Sequence, residues 1–316
     1  MSEYKCLIDG LVFSDIEALH FHLKELKISQ KDYYLKYHPK KDLLNGKPLP
    51  FKSPEHYLLN DFENKNNLKK YLKDYPEEAK LWSINWLKKR KEAKSLIWAP
   101  IQVELRSLPC PSIMYYDWAI GYNKLCDELS LKIKFRDNVP RFTKLPKNSN
   151  IIIDTREQRP LLLNYENSKR GTLNIGDYAL EGIHDKKIYI ERKSLLDFIS
   201  TLTKDLGRFH RELDRAKEIG AYVIMMVENS INDCLGFNYL SRRYIGLRYV
   251  KTNPSHVFKN LRDTIQKYEN FQPIFVDGRL KSENAIIKIF QLGEQARNID
   301  LQLMYERDNN IFNNVD

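Results

Sequence analysis

The stretch Ile188-Tyr189-Ile190-Glu191-Arg192-Lys193 decides both the fold and the candidate site of this chain. Its residues alternate in character as they do in a β-strand, where successive side chains point to opposite faces. The alternation places Glu191 and Lys193 on one face and Arg192 on the other. A carboxylate and an ammonium group are therefore expected to lie side by side.

A second short strand is predicted just before this one. Residues 177–182 are also mostly apolar, and polar residues around His184 separate the two segments as in a turn. In a hairpin centred on His184, residues whose numbers add up to 368 face each other, so Asp177 lies opposite Glu191. Two carboxylates and Lys193 then converge. A hard divalent cation such as Mg²⁺ relieves the repulsion between such carboxylates.

A third acid is expected nearby. Asn150-Ile151-Ile152-Ile153-Asp154 is an apolar run that ends in a charge, which is typical of a buried strand whose carboxyl end opens into a site. Asp154 is therefore a further candidate ligand. Arg156 can hold a phosphate through two parallel hydrogen bonds. Lys193 can orient or deprotonate an attacking water and offset charge on the phosphate.

Taken together, these residues resemble the nuclease domain of the XPF family, to which the archaeal Hef nuclease also belongs. The shared signature is Gly176-Asp177, then Glu191-Arg192-Lys193 and, after three further residues, Asp197; Asp154-Thr155-Arg156-Glu157 precedes it. The resemblance covers about residues 148–300. It implies an α/β, restriction-endonuclease-like core, that is, a mixed sheet flanked by helices.

The resemblance also implies roles for individual residues. Asp154, Asp177 and Glu191 would hold Mg²⁺ or Mn²⁺, and Lys193 would be the catalytic lysine. The Arg192 carbonyl would add a further ligand.

The same resemblance makes Arg156, Arg192 and Arg208 the candidate DNA-binding residues. An arginine near the start of a helix is equally well explained as a solvated side chain, which leaves that alternative open for Arg208. Asp197 has a different explanation. Ser194 and Asp197 approximate a capping box, so this acid is expected to cap a helix.

Further segments predict alternating helices and strands, starting with a helix over residues 208–219 and a fully buried strand over 221–227. A helix over 255–268, a strand over 272–276 and a helix over 282–292 follow. This alternation predicts helices on both sides of a mixed sheet.

Composition and charge agree with a globular DNA-binding protein. The chain has 316 residues, of which 42% are apolar and 30% charged, with neither a membrane-spanning run nor a signal peptide, which predicts a soluble cytoplasmic protein. Four cysteines without a C-x-x-C pair indicate reduced thiols. Residues 1–150 carry 27 Lys+Arg against 19 Asp+Glu, whereas the remainder carries 25 against 23. The N-terminal half is therefore the expected DNA-docking surface.

The first seventy residues resemble a C2H2 zinc finger that has lost its metal. Cys6 is present, but Asp9 stands where the second cysteine would be, and no second histidine follows His22 at the usual spacing. Such a set should bind zinc poorly. Without zinc, so small a unit is expected to pack against Tyr33-Tyr34-Leu35 and the segment 43–51.

The next region is predicted to be mainly helical. A helix over 71–95 ends in the basic cluster Lys88-Lys89-Arg90-Lys91, which is either a phosphate contact or a solvated face. Residues 111–131 resemble a DNA-binding repeat that accompanies homing-type endonucleases. The alternative is a helical pair in which Tyr115, Trp118, Leu125 and Leu129 are core. The predicted domains are therefore 1–70, finger-like; 71–140, helical and DNA-binding; and 148–316, nuclease.

The predicted function is a metal-dependent DNA endonuclease, either structure-specific or homing and site-specific. Members of the XPF family usually carry helix-hairpin-helix motifs after the core and often pair with a second subunit, so a homodimer is possible here. Such motifs are not expected in this sequence, and substrate selection would fall to residues 1–140. Two alternatives remain: a DNA-binding scaffold with an inactive nuclease core, and an RNA-directed nuclease.

Overall fold

The computed structural model describes residues 3–137, 139–145, 149–163, 167–181, 187–240, 246–247 and 250–307. The chain divides into two compact units, the first formed by residues 1–95 with 108–111 and the second by 96–107 with 112–316. This is a division by compactness, so the predicted functional boundaries at residues 70 and 140 stay a prediction. Among the described residues, no helix combines the length and apolar character needed to cross a membrane.

The first unit is mainly helical, as predicted for the region before the nuclease core. It begins with an antiparallel pair of short strands, β1 (Tyr4–Lys5) and β2 (Val12–Phe13). Five helices follow: α1 (Ile16–Glu25), α2 (Gln30–Tyr37), α3 (Pro54–Leu59), α4 (Lys65–Asp74) and α5 (Pro76–Lys94). The order of two strands and a helix is that of a finger.

The small hairpin and α1 are buried by the residues that follow them. Cys6, Leu19 and Leu23 form one apolar cluster with Tyr33 and Tyr34, and Leu49 and Phe51 from the predicted supporting segment also pack there. Leu35, by contrast, is 38% exposed. The unit thus has an apolar core of its own, and its folding does not depend on metal ligands alone.

The single helix predicted over residues 71–95 is wrong, because the structure has two helices here. Tyr75 has φ −133° and ψ 64°, outside the helical region, and Pro76 opens α5. Proline is tolerated in the first turn of a helix but breaks an interior, which explains the division. Arg90 also departs from the predicted basic cluster, because it is buried and forms an ion pair with Glu55.

The second unit contains a six-stranded mixed sheet with helices on both sides, which confirms the predicted fold class. Its strands are β3 (Ile151–Asp154), β4 (Ser168–Gly171), β5 (Tyr178–Leu180), β6 (Ile188–Lys193), β7 (Tyr222–Val227) and β8 (Phe271–Phe275). Its helices are α6 (Gln102–Arg106), α7 (Ile113–Ala119), α8 (Tyr122–Glu128), α9 (Leu195–Thr201), α10 (Leu206–Glu218), α11 (Ile231–Leu235), α12 (Pro254–Lys267), α13 (Arg279–Leu292) and α14 (Leu301–Arg307).

The strands lie in the order β4-β3-β5-β6-β7-β8. β5 runs antiparallel to both β3 and β6, whereas β4 is parallel to β3, and β6, β7 and β8 are parallel to one another. The edge strand β4 was not predicted. Its sequence, Ser168-Lys169-Arg170-Gly171, is polar and exposed, so no apolar pattern marks it.

The interior strand β7, which lies between β6 and β8, contributes residues to the apolar core on both sides of the sheet. All six of its residues are buried, as predicted. Val223, Met225 and Val227 pack with Phe198 under one face, while the alternate residues pack with α13 under the other. Burial of both faces explains why this strand is uniformly apolar.

Helices α7 and α8 form the helical pair expected within residues 111–131. Leu125 belongs to the core, as the packing alternative requires, but the Trp118 side chain is 72% exposed. The prediction that Trp118 is a core residue is therefore wrong.

Replacing Phe198 with alanine tests the core on the α9 side of the sheet. Phe198 is fully buried, with ring centroids 5.8 Å from Phe258 and 5.3 Å from Phe275. We expect Phe198→Ala to lower the free energy of unfolding by about 3–5 kcal/mol in urea denaturation. Leu196→Ala, whose side chain is 40% exposed on the same helix, should cost less than about 1 kcal/mol. Equal losses would contradict this packing.

Candidate active site

Asp177 and Glu191 are brought to the same end of β5 and β6 by the predicted register. Tyr178 pairs with Ile190 and Ala179 with Tyr189, so the paired numbers add up to 368, as in the predicted hairpin. The predicted turn at His184 lies outside the described residues. The Asp177 N–H donates to the Ile190 carbonyl at 2.8 Å, and the Arg192 N–H donates to Asp177 Oδ2 at 2.8 Å. The aspartate is thus held against β6 by its main chain and its side chain.

Gly176 makes this close approach possible. Its φ of +68° lies in the left-handed region, where residues with a Cβ are strained. A Cβ at this position would also lie 3.0 Å from the Ile190 carbonyl oxygen and 3.3 Å from Tyr189 Cβ. Gly176 is therefore required for two reasons: its backbone conformation is left-handed, and the close approach to β6 leaves no room for a Cβ.

Glu191 and Lys193 lie on one face of β6, as the alternation predicts. The lysine ammonium forms an ion pair with Glu191 Oε1, and the two side chains are 14% and 12% exposed, respectively. The pKa of Lys193 is raised, because its attraction to Glu191 and Asp177 outweighs the opposing effect of burial. The lysine is therefore a cation at neutral pH.

Glu212 on α10 is a fourth acid that the sequence reasoning missed. Its carboxylate accepts a hydrogen bond from the Gly176 N–H and interacts electrostatically with Glu191 and Lys193. Its pKa is raised, first by burial and then by the charge of Glu191. A signal was available in the sequence. Glu212 falls within the apolar stripe Phe209, Leu213 and Ala216 of α10, and a carboxylate on a buried helix face calls for an explanation.

Asp154 ends β3 beside the other acids, and its N–H donates to the Asp177 carbonyl at 2.8 Å. Its carboxylate is already fully engaged: Oδ1 accepts from the Arg156 N–H and Nε, both at 2.8 Å, and Oδ2 accepts from the Leu173 N–H at 2.7 Å. These donors hold the pKa of Asp154 at about 2. The structure therefore places Asp154 next to Asp177 but turns its charge toward Arg156.

The donor set fits a hard divalent cation in its chemistry. Burial and the charge of Glu191 raise the pKa of Asp177 from 3.8 to about 7, which is the expected result of two crowded carboxylates. A cation between such groups removes the repulsion. In the part of the chain that the structure describes, Asp154, Asp177 and Glu191 do not bring three ligand atoms within 4.8 Å of one another.

The three predicted DNA-binding arginines have different surroundings. Arg156 is 70% exposed and also donates to the Leu173 carbonyl at 2.7 Å. Arg192, on the other face of β6, forms ion pairs with Glu157 at 3.0 Å and with Glu228 at 2.8 Å. Arg208 is exposed near the start of α10. Arg192 therefore ties the ends of β3, β6 and β7 together, and its contact with DNA stays a prediction.

Asp197 caps a helix, as predicted. Ser194 is the residue that precedes α9; its hydroxyl accepts from the Asp197 N–H at 3.3 Å and donates to Asp197 Oδ2 at 2.6 Å. This reciprocal pairing accounts for the acid without a metal.

Comparison with known proteins finds a family model that matches part of this chain. Residues 153–287 match the family model of the ERCC4 domain. An ERCC4 domain indicates a nuclease, and hence a hydrolase. The matched segment contains Asp154, Asp177, Glu191, Lys193 and Glu212. No curated protein matches the chain.

Two solved structures are similar to part of the chain. One is XPF from Aeropyrum pernix in complex with DNA, with 20% sequence identity and a TM-score of 0.32; the match covers 46% of this chain and 64% of that one. The other is XPF from Aeropyrum pernix, with 20% identity, a TM-score of 0.33 and coverage of 46% and 68%, respectively.

Gly176→Ala tests whether the glycine holds the two acids in register. We expect it to destabilise the protein by more than the roughly 1–2 kcal/mol of a left-handed alanine, since its Cβ would also push against β6. Gly220→Ala is the matched control, because Gly220 has φ +67° but an added Cβ would lie no closer than 4.0 Å to a neighbour. Urea denaturation measures both variants. Equal losses would show that the contact with β6 has no effect.

The raised pKa of Asp177 predicts how stability depends on pH. The folded protein keeps a proton on this group up to about pH 7, whereas the unfolded chain releases it near the ordinary value of 3.8. Without added metal, the contribution of Asp177 to the free energy of unfolding therefore falls as pH rises from about 4 to 7. Asp177→Asn should remove this fall and be the more stable protein at pH 8, by on the order of 2–4 kcal/mol. Parallel pH profiles of the two proteins would contradict the assignment.

Proposed function

We propose that the ERCC4 domain of this chain is a divalent-metal-dependent DNA endonuclease that hydrolyses phosphodiester bonds by attack of water. The observation that carries the proposal is the meeting of Asp177, Glu191 and Lys193 at one end of β5 and β6, with Glu212 behind them. Acids in a salt-bridged surface hairpin would be solvated and would not have raised pKa values. Crowded carboxylates beside one lysine are suited to a cation and a phosphate.

Asp177 and Glu191 would hold Mg²⁺ or Mn²⁺, and Asp154 would supply a third carboxylate. When bound, the ion would activate the attacking water and offset negative charge on the scissile phosphate. Arg156 links the substrate to this set. Its exposed guanidinium is paired with Asp154, so a phosphodiester that recruits Arg156 would leave the Asp154 carboxylate with its two backbone donors, the Arg156 and Leu173 N–H groups, and with lone pairs for a cation.

Lys193 would act as a fixed cation. Because its pKa is raised, it is protonated at neutral pH and can donate hydrogen bonds to the attacking water or to a phosphate oxygen. Of the two roles open to it from sequence, orientation is favoured over deprotonation. Glu212 would keep Lys193 and Glu191 in place and, being buried, is suited to position them rather than to contact DNA.

DNA is the proposed substrate. The chain has a formal net charge of +10, most of it in residues 1–150, and neutralising phosphates releases counterions and gives affinity. The Arg156 and Arg208 side chains are exposed on the side of the nuclease core and would add phosphate contacts. We propose that residues 1–140 help select the substrate, by its branched structure or by its base sequence, and that a homodimer is possible.

A nicking assay on supercoiled and branched DNA tests the proposal. With Mg²⁺ or Mn²⁺ the parent protein should cleave, and chelation should abolish cleavage. Asp177→Asn, Glu191→Gln, Lys193→Met and Glu212→Gln should each lower kcat by about 100-fold or more, because each removes an ionisable group from the charged cluster that would hold the metal and the phosphate. Asp197→Asn, the capping acid of the same motif, should stay within a few-fold of the parent.

The outcomes separate the alternatives. Binding of DNA without cleavage under every metal condition would favour a scaffold with an inactive core. Cleavage of matched RNA in preference to DNA would overturn the proposed substrate. Cleavage unchanged by Asp177→Asn and Lys193→Met, or an Asp197→Asn loss as large as theirs, would refute the site.

A further inference from the structure

The finger-like segment contains a second cluster of potential metal ligands, far along the chain from the ERCC4 domain. Cys6, Asp9 and His22 offer a thiol sulphur, a carboxylate oxygen and an imidazole nitrogen that all lie within 4.8 Å of one another. Among the described residues, this is the one group of three or more Cys, His, Asp or Glu side chains whose ligand atoms lie this close together. Sulphur, nitrogen and oxygen together suit a borderline cation such as Zn²⁺ rather than Mg²⁺.

The local fold dictates this convergence. The Cys6 N–H donates to the Leu11 carbonyl at 2.8 Å, and the Gly10 N–H donates to the Cys6 carbonyl at 2.9 Å. Gly10 has φ +83°, which lets the chain turn tightly and directs Asp9 back toward Cys6. His22 lies on α1, where its ring packs on Phe13 of β2 with centroids 5.0 Å apart. The residue after β1, the turn that follows it and helix α1 thus each contribute one ligand.

Hydrogen bonds within the cluster hold the three potential ligand atoms close together. His22 Nε2 lies 2.6 Å from Asp9 Oδ2, and the Cys6 thiol also forms a hydrogen bond with the Asp9 carboxylate. The ring N–H of His22 and the thiol of Cys6 therefore both donate to the Asp9 carboxylate. A metal ion that took the place of these protons would find all three ligand atoms already facing one point.

We propose that Cys6 Sγ, Asp9 and His22 Nε2 bind one Zn²⁺ ion, with solvent in the fourth position. Binding releases the thiol proton to solvent, and the ring proton moves from Nε2 to Nδ1 by exchange with water, so a thiolate and a carboxylate balance the two positive charges and the imidazole stays neutral. Asp9 is 32% exposed, which leaves the fourth position open to water. Three protein ligands with one open position are a recognised zinc arrangement.

Glu25 supplies the outer partner that zinc-bound imidazoles usually have. Its Oε2 lies 4.0 Å from His22 Nδ1, on the side of the ring opposite Asp9. In the zinc-bound form this carboxylate would move within hydrogen-bond distance of the Nδ1 proton and fix the ring so that Nε2 faces the metal. The missing second histidine therefore removes one ligand, but it does not leave the other three without support. Because the unit also has the apolar cluster around Tyr33, zinc would add stability to a fold that exists without it.

Metal titration of the full chain tests the site. The Asp177→Asn/Glu191→Gln double variant is the host, so that carboxylates of the ERCC4 domain do not bind the probe. We expect one equivalent of Zn²⁺ per chain and a thermal unfolding midpoint that rises with Zn²⁺ and falls back on chelation. Co²⁺ used as the probe should give a thiolate charge-transfer band and the visible bands of a tetrahedral ion.

Single substitutions assign the ligands. His22→Gln and Asp9→Asn should each weaken Zn²⁺ binding at least about tenfold, and Cys6→Ser should abolish the thiolate band. Glu25→Gln should weaken binding by roughly tenfold while the Co²⁺ bands keep their shape. Circular dichroism without metal shows whether each variant is folded.

Matched controls keep the test decisive. His20 lies on the same helix but pairs with the Tyr34 hydroxyl at 2.9 Å, and Cys234 is a buried thiol in the other unit. His20→Gln and Cys234→Ser should bind Zn²⁺ as the host does. Less than one equivalent of Zn²⁺ in the host, a Co²⁺ spectrum without a thiolate band, or equal losses in His20→Gln and His22→Gln would overturn the proposal. Cleavage activity enters none of these readouts.

Discussion

Repulsion between buried carboxylates is the constraint on which the candidate active site depends. Asp177, Glu191 and Glu212 share one region of the second unit, with Lys193 as a cation among them. Crowding like charges away from water costs free energy, so the fold must hold them there by stronger means. The main means is the β5–β6 ladder, together with the hydrogen bond from the Arg192 N–H to Asp177. The electrostatic repulsion at the site is therefore unfavourable, but the positions of the acids are fixed by backbone hydrogen bonds.

The opposite face of β6 shows how such a strand end is anchored. Arg192 pairs with Glu157 and Glu228, so that the strand carrying the acids is tied to its neighbour β7 and to the end of β3, which lies beyond β5. In consecutive residues, the strand thus places an arginine that pairs with its surroundings on one face and the candidate catalytic glutamate and lysine on the other. Strand alternation keeps these charges apart, which explains why three charged residues in a row are tolerated in a partly buried strand.

The sequence was sufficient for features that depend on periodicity and on local hydrogen bonds. The register of β5 and β6, the buried strand β7 and the Ser194–Asp197 cap all follow from such patterns. It was insufficient where partners are distant along the chain. The polar edge strand β4 pairs with β3 without any apolar pattern. The missed acid Glu212 reaches the site only because α10 packs across the sheet.

Two sets of ligands with different chemistry follow from these arrangements. The ERCC4 domain offers carboxylates, which suit a hard cation that retains water and binds phosphate, whereas the finger-like segment offers sulphur and imidazole, which suit zinc. With the two proposed sites occupied, the difference in ligand hardness would let one chain hold two metals without exchange between the sites. Carboxylates that repel one another are stabilised most by an ion that arrives with the substrate. The Cys6 cluster, by contrast, is neutralised by an ion that stays. On the proposed assignments, the chemistry of the side chains would thus separate a metal that takes part in turnover from one that supports the fold.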